Sequence, residues 1–127
     1  MKMKRLTVIC SGGFGDQKKA NFKHDIREMF GKDVVIHFVH TDKAKEHIID
    51  RMVSTEPDHI HMQDVSHTMA NVYREGFLNA CPDVAGTIKF SVVLKAGSLA
   101  EELNNDIANI SALDEIKGMY SNEVVRA

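Results

Sequence analysis

The residues with the clearest chemical potential form a glycine-rich loop near the start of the chain. Three glycines follow an apolar run, and a helical pattern begins near Gln17. Backbone N–H groups at the start of a helix favour an anion, and glycines let a ligand approach the backbone closely. We therefore expect a ligand-binding loop, made of Ser11, Gly12, Gly13, Phe14, Gly15 and Asp16.

The loop shares parts of several phosphate-binding motifs. Gly13-x-Gly15 after a strand matches the start of the dinucleotide fingerprint, but Lys18 stands where the third glycine belongs. The run Ser-Gly-Gly is similar to the ATP-pyrophosphatase loop, with one extra residue before the acid Asp16. The P-loop signature is absent from the sequence. The alternative is that the glycines only form a tight strand-to-helix turn.

Cys10 ends the apolar run before the loop, where the N–H groups of a helix start would stabilise a thiolate. This strand–Cys–loop–helix order resembles phosphocysteine sugar-phosphotransfer subunits and low-molecular-weight tyrosine phosphatases. The resemblance implies a nucleophilic role for Cys10. The phosphatase motif has an arginine where this chain has Asp16, and a carboxylate there repels phosphate. A buried structural cysteine is the alternative.

Histidines are the second chemical feature, because six of the seven lie between His37 and His67. His59 and His61 alternate along a predicted strand, so they share one face and are the candidates for metal ligands. His40 and His67 follow predicted strands and are candidates for ligand contacts or for a general acid/base pair near neutral pH. No spacing of the His-Glu-x-x-His type occurs, so we predict no metal site.

Strand patterns and helix patterns alternate along most of the chain. Strands are predicted over 4–10, 33–40, 59–62 and 88–95, and helices over 17–30, 42–55, 66–80 and 99–110. The fourth strand alternates apolar residues with a side that carries Lys89, Ser91 and Lys95, which predicts an edge or antiparallel strand with that side wetter. Beyond 111 the pattern weakens into a helical extension at 112–116 and short strands at 119–120 and 124–125.

This order predicts one α/β domain over 1–127. The expected architecture is a three-layer sandwich with a mostly parallel sheet, flavodoxin-like or reduced Rossmann-like. A ferredoxin-like α+β fold is the alternative if the fourth strand is antiparallel. Residues 111–127 are expected to pack on the domain or to contact another subunit.

The carboxyl ends of the predicted strands collect most of the polar candidates. In open parallel sheets, ligands bind beyond those ends. The loop follows the first strand, Thr41 and Asp42 follow the second, and Asp64 and His67 follow the third. The same edge is expected to receive Gln63, Ser66, Gly97 and Ser98.

Composition narrows the function classes. The net charge of −2 argues against a general nucleic-acid binder or membrane-surface binder. The apolar run 6–10 is too short for a secretory signal or a membrane span. Two cysteines without a Cys-x-x-Cys pair fit a reduced, cytoplasmic protein. No cofactor is indicated.

Three functions are compatible with these patterns. The first is binding of a phosphorylated or nucleotide-like small molecule at the loop. The second is a regulatory or interaction protein that forms a homo-oligomer, suggested by the apolar tail 116–125. The third is a phosphoryl-transfer or hydrolytic enzyme that uses Cys10 or the pair His40 and His67.

Overall fold

The computed structural model describes residues 3–95 and 112–120 of the chain. The strands are β1 (Arg5–Cys10), β2 (Val35–His40), β3 (His59–Val65) and β4 (Lys89–Leu94), and the helices are α1 (Asp16–Phe30), α2 (Lys45–Ser54), α3 (His67–Ala80) and α4 (Ala112–Met119). A short 3-10 helix, Pro82–Val84, precedes β4. None of the described helices has the length and the apolar character that crossing a membrane requires.

The four strands form one parallel sheet in the order β2-β1-β3-β4. This is the predicted flavodoxin-like α/β arrangement. The ferredoxin-like alternative is wrong, because β4 runs parallel to β3. β1 lies between two partners and is buried at five of its six positions, as its nearly continuous apolar sequence requires.

Helices cover both faces of the sheet, so the core has two halves. On the first face, α1 covers β1 and β2 while α4 lies over β3 and β4, with Ile26, Phe30 and Ile116 almost fully buried. On the second face, α2 and α3 pack on Ile9, Ile60 and Met62. Each helix contributes its apolar stripe and leaves its charged side in water.

Helix ends follow local chemistry. Gly31 ends α1 with a φ of 110°, which side chains with a Cβ rarely adopt, and its N–H donates to the Arg27 carbonyl at 2.9 Å. Ser66 precedes α3, and its hydroxyl accepts from the Met69 N–H at 3.2 Å. α2 begins at Lys45, three residues later than predicted, after a turn that follows β2.

The wetter face predicted for β4 is in fact its more buried face. Ser91 and Val93 are 2% and 9% exposed, while Phe90 and Val92 on the other face are only partly buried. The reason is that α4, from far along the chain, folds back onto the Ser91 side. The short strand predicted at 119–120 is also wrong, since α4 extends to Met119. The helix predicted at 99–110, the strand at 124–125 and the edge residues Gly97 and Ser98 lie outside the described residues.

We predict that α4 contributes to the stability of the domain. Ile116 is fully buried, so Ile116→Ala should lower the free energy of unfolding by about 2–4 kcal/mol through lost burial and a residual cavity. Chemical denaturation measures this value. Met119→Ala, at an exposed position on the same helix, is the matched control and should change stability by less than about 0.5 kcal/mol. Equal, small effects of the two variants would contradict the packing of α4.

Candidate functional site

The glycine loop lies at the carboxyl end of β1, which is an inner strand of the sheet. It turns through a hydrogen bond from the Phe14 N–H to the Ser11 carbonyl at 3.0 Å. The Phe14 ring packs against Phe22 and Phe38, with ring centroids 5.9 Å away in both cases. This anchored ring holds the loop on the sheet and leaves the glycines on the outside.

The loop glycines have ordinary backbone conformations. Gly12, Gly13 and Gly15 all lack a positive φ, so the turn itself does not require glycine. A Cβ added at Gly12 or Gly15 would meet nothing within 4 Å. The exposed backbone of this loop is therefore accessible to a ligand.

Helix α1 begins directly after the loop without a side-chain cap. Gly15 occupies the N-cap position and makes no side-chain hydrogen bond. The first N–H groups of the helix therefore lack the partner that a serine or aspartate would supply. Asp16, the first residue of α1, is exposed and brings a carboxylate to this turn.

A bulge in β3 links the loop to the third strand. The register between β3 and β4 shifts between Gln63 and Val65, and Asp64 adopts a φ of 60°. Asp tolerates this left-handed conformation better than most residues. The Asp64 carboxylate consequently accepts a hydrogen bond from the Ser11 hydroxyl at 3.2 Å. The structure thus brings together two of the predicted site residues.

Lys19 brings a positive charge to the edge, beside His40. The Lys19 ammonium group donates to Nε2 of His40 and lies 5.6 Å from the centroid of the Phe38 ring. No carboxylate of the described part of the chain forms an ion pair with Lys19. Its positive charge therefore remains available next to the glycine loop.

The remaining predicted residues have separate positions. The Thr41 N–H donates to the Cys10 carbonyl at 2.9 Å, which extends the β1–β2 pairing by one residue, and Asp42 is exposed beside it. His67 is the exposed first residue of α3, beside a cleft of about 190 Å³ between α3 and β4. His40 ends β2 and His67 comes after β3, and these two strands do not pair because β1 lies between them.

Cys10 is buried at the end of β1, with its Sγ 3.8 Å from the Val39 carbonyl oxygen. Burial raises the pKa of the thiol from 9.0 to about 11, with Asp42 adding to the rise and Lys19 opposing it. The thiol therefore stays protonated at neutral pH. The structure thus favours the structural interpretation of Cys10 over the nucleophilic one.

His59 and His61 belong to a buried hydrogen-bonded chain on the α1/α4 face. Nδ1 of His59 is 3.0 Å from the Tyr120 hydroxyl, and its Nε2 is 2.7 Å from the Ser91 hydroxyl. The same hydroxyl is 2.7 Å from Nδ1 of His61, whose Nε2 is 3.0 Å from Oε1 of Gln63. We call this series, Tyr120–His59–Ser91–His61–Gln63, the polar chain.

Aromatic rings cover the polar chain. Phe22 of α1 stacks on His61 with a centroid distance of 5.9 Å, and Tyr120 stacks on His59 at 5.4 Å. Lys89 lies 3.9 Å from the centroid of the Tyr120 ring. His59, His61 and Ser91 are at most 2% exposed, so water does not reach them.

The burial of the two imidazoles keeps them neutral. Desolvation lowers the pKa of His59 from 6.5 to about 3, with further lowering by His61 and Lys89. Desolvation also lowers the pKa of His61 to about 4, against a smaller rise from the hydrogen bond to Gln63. All four ring nitrogens have partners, so none offers a free lone pair to a metal. No group of three or more potential metal ligands occurs within the described ranges.

Sequence reasoning missed the partners of these histidines. Ser91 appears in the sequence only as part of an exposed strand face, and Tyr120 only as part of a weak tail. Both reach His59 because β4 and α4 lie beside β3 in space. The available signal was the alternation of His59 and His61, which predicts that they share a face.

A larger cavity, of about 440 Å³, lies at the opposite end of the sheet. It is lined mainly by apolar groups such as Val53, Phe77 and Ile88. Asp58 at its rim accepts hydrogen bonds from the N–H groups of Lys4 and Arg5 at 2.9 and 3.0 Å. The Asp58 carboxylate therefore has a structural role, because it joins the residue before β3 to the start of β1.

The fold and the edge define a class of protein: a parallel, flavodoxin-like α/β domain whose carboxyl edge is compatible with ligand binding. No family model matches the sequence, and no curated protein or solved structure is significantly similar to the chain. The function must therefore be argued from the geometry of the edge.

The polar chain predicts a loss of stability in mild acid. Well above pH 6.5 the two buried histidines are neutral in both states, and the full stability is present. As the pH falls below 6.5, the unfolded chain binds protons first because the folded pKa values are lowered. Each histidine should then lower the free energy of unfolding by about 1.4 kcal/mol per pH unit, down to its folded pKa.

Urea denaturation between pH 7 and pH 5 measures this slope. His61→Gln should reduce it, because one buried titrating group is removed. Met52→Leu, which changes a fully buried side chain that does not titrate, is the control and should leave the slope unchanged. A wild-type stability that does not change between pH 7 and pH 5 would contradict the prediction.

The Cys10 thiol should be unreactive in the folded protein. Because burial raises its pKa to about 11, very little thiolate exists at pH 7 to 8. In a Cys81→Ser variant, a thiol reagent should modify Cys10 only when denaturant is added. Rapid labelling of the native variant at pH 7.5 would show that Cys10 is accessible and activated.

Proposed function

We propose that the protein binds a phosphorylated or nucleotide-like small molecule at the glycine loop, residues 11–16. In this proposal the phosphate contacts the backbone of Gly12 to Gly15 and the start of α1. Thr41, Asp42 and His67, at the same sheet edge, contact the rest of the ligand. No cofactor is part of the proposal.

The main support for this proposal is that the fold does not need the glycines of the loop. Their φ values are ordinary, and a Cβ at Gly12 or Gly15 would point into open space. Replacing a glycine of this kind by alanine commonly stabilises a protein by about 0.4–1 kcal/mol, through the entropy of the unfolded chain. Glycines that cost stability without serving the turn are explained by a ligand that lies directly against the backbone.

The charges at the edge support an anionic group on one side and hydroxyls on the other. The uncapped start of α1 and the ammonium group of Lys19, which has no carboxylate partner among the described residues, both favour a phosphate. Asp64, held by the Ser11 hydroxyl, would repel a phosphate but can accept hydrogen bonds from sugar hydroxyls. A ligand with a phosphate and a sugar satisfies both sides.

Thermal-shift measurements with a panel of nucleotides, hexose phosphates and inorganic phosphate test the proposal. A ligand at a hundred times its Kd should stabilise the wild type by about 2.7 kcal/mol. Gly12→Ala should raise the stability of the free protein by about 0.4–1 kcal/mol and lose the ligand-induced shift, because its methyl group occupies the ligand side of the loop. Gly86→Ala is the matched control, since Gly86 also has open space around it but lies outside the loop.

The proposal is contradicted if no compound of the panel stabilises the wild type. It is also contradicted if Gly12→Ala and Gly86→Ala respond to the ligand in the same way.

Removal of the Lys19 charge provides a separate test. Lys19→Met should weaken phosphate binding by about tenfold, because a charged hydrogen-bond donor is lost. Lys32→Met removes the same charge beyond the other end of α1 and should leave binding unchanged. Isothermal titration with the best compound of the panel measures both affinities, and equal losses in the two variants would exclude a specific role for Lys19.

A further inference from the structure

We infer that Gln63 is a ligand-reading residue of the carboxyl edge, and that the buried chain Tyr120–His59–Ser91–His61 holds its NH₂ group toward the ligand. The inference rests on the proposed ligand site and adds a specificity-determining group to it. Tyr120 is then a positioning residue, which acts on the site without touching it.

The position of Gln63 is suited to this role. It is the register partner of Cys10 in the β1–β3 pairing, so it lies near the carboxyl end of β3, beside the residue that precedes the glycine loop. The next residue, Asp64, already reaches the loop through Ser11. Gln63 is half-buried, with Oε1 toward His61, and no residue in the described part of the chain accepts a hydrogen bond from its NH₂ group.

The direction of the polar chain follows from counting its protons. An amide oxygen only accepts, so Nε2 of His61 must carry the proton that reaches Oε1 of Gln63. A neutral imidazole has one N–H, so Nδ1 of His61 accepts, and the Ser91 hydroxyl donates to it.

The same count continues to the far end. Because the Ser91 proton is used, its oxygen accepts from Nε2–H of His59, and Nδ1 of His59 accepts from the Tyr120 hydroxyl. Every donor is used once and no buried nitrogen is left without a partner. Reversal of one bond would require reversal of all four, since two donors cannot face each other.

The consequence is a long-range constraint on the site. Gln63 lies four positions after His59 along β3, which corresponds to roughly 13 Å. The Tyr120 hydroxyl donates at one end of the polar chain, and the Gln63 carboxamide must therefore turn its oxygen toward His61 at the other end. The outer side then presents two N–H donors, which select a ligand group that accepts, such as a phosphate or carbonyl oxygen.

The histidine tautomers of the ligand-free protein test the direction of the chain without any ligand. Long-range ¹⁵N–¹H NMR spectra should show His59 and His61 both protonated at Nε2 and not at Nδ1. In Tyr120→Phe, which keeps the ring and loses the hydroxyl, the Nδ1–H tautomer should appear at both histidines. The change at His61 is decisive, because Tyr120 does not hydrogen-bond to His61. The inference would be overturned if His59 and His61 have different tautomers in the wild type, or if Tyr120→Phe changes the tautomer of His59 alone.

Binding of inorganic phosphate and of AMP tests the role of Gln63. Gln63→Glu keeps an acceptor toward His61 and removes the outward donors, so it should weaken the binding of the better probe by about tenfold. Gln17→Glu adds the same charge to the first turn of α1 without touching the polar chain, so it measures the loss that the added charge alone causes, and the loss in Gln63→Glu should be clearly larger.

Tyr120→Phe should weaken the same probe by several-fold while circular dichroism shows an unchanged fold. The ligand-reading role would be overturned if a probe binds the wild type and the two variants Gln63→Glu and Gln17→Glu bind it with equal affinity. If neither probe binds the wild type, the ligand-reading role of Gln63 falls together with the phosphate site, and the tautomers alone decide whether the chain has the assigned direction.

Discussion

The structure depends on hydrogen-bond partners for two imidazoles, His59 and His61, that are buried on one face of a parallel sheet. A buried nitrogen without a partner costs about 1–3 kcal/mol, and His59 and His61 together bury four of them. The partners come from β3, β4 and the segment after α4. The burial of these two side chains therefore determines which segments must lie against the first face.

This requirement explains several features that look unrelated. β4 is an edge strand of the sheet, yet its Ser91 side is closed, because the serine hydroxyl must reach both rings. Tyr120 follows α4 and both stacks on His59 and hydrogen-bonds to it. Phe22 of α1 covers His61. In such a water-free setting each hydrogen bond is electrostatically stronger than in solution, and the polarisation of one bond reinforces the next.

Local sequence patterns were sufficient for the architecture. Alternating strand and helix periods predicted the parallel α/β sandwich, and the glycine after the last turn of α1 marked its end correctly. The alternation of His59 and His61 predicted a shared face. These signals are local, because they depend only on backbone periodicity and on the conformational freedom of single residues.

The errors concern contacts between distant segments. The alternation in β4 indicated that one side was wetter, but a sequence period cannot show that α4 returns to cover it. The pairing of Ser91 with the histidines depends on strand order, which periodicity does not encode. The bulge at Asp64 depends on the backbone of a single residue, so the strand was predicted to end at residue 62. The chemistry of the loop glycines likewise became interpretable only with their φ values.

The order of the strands has a consequence for how the chain acquires its structure during synthesis. β1 is synthesised before β2 and β3 but lies between them in the sheet, so both of its edges are paired only after those two strands have been made. The bond between His59 and Tyr120 spans 61 residues. A ribosome-bound chain that ends before Tyr120 would thus hold one imidazole without its donor, and contacts of this sequence separation form slowly. Completion of the hydrophobic sheet and completion of its polar interior are separate events, and the second has to follow synthesis of the segment that carries Tyr120.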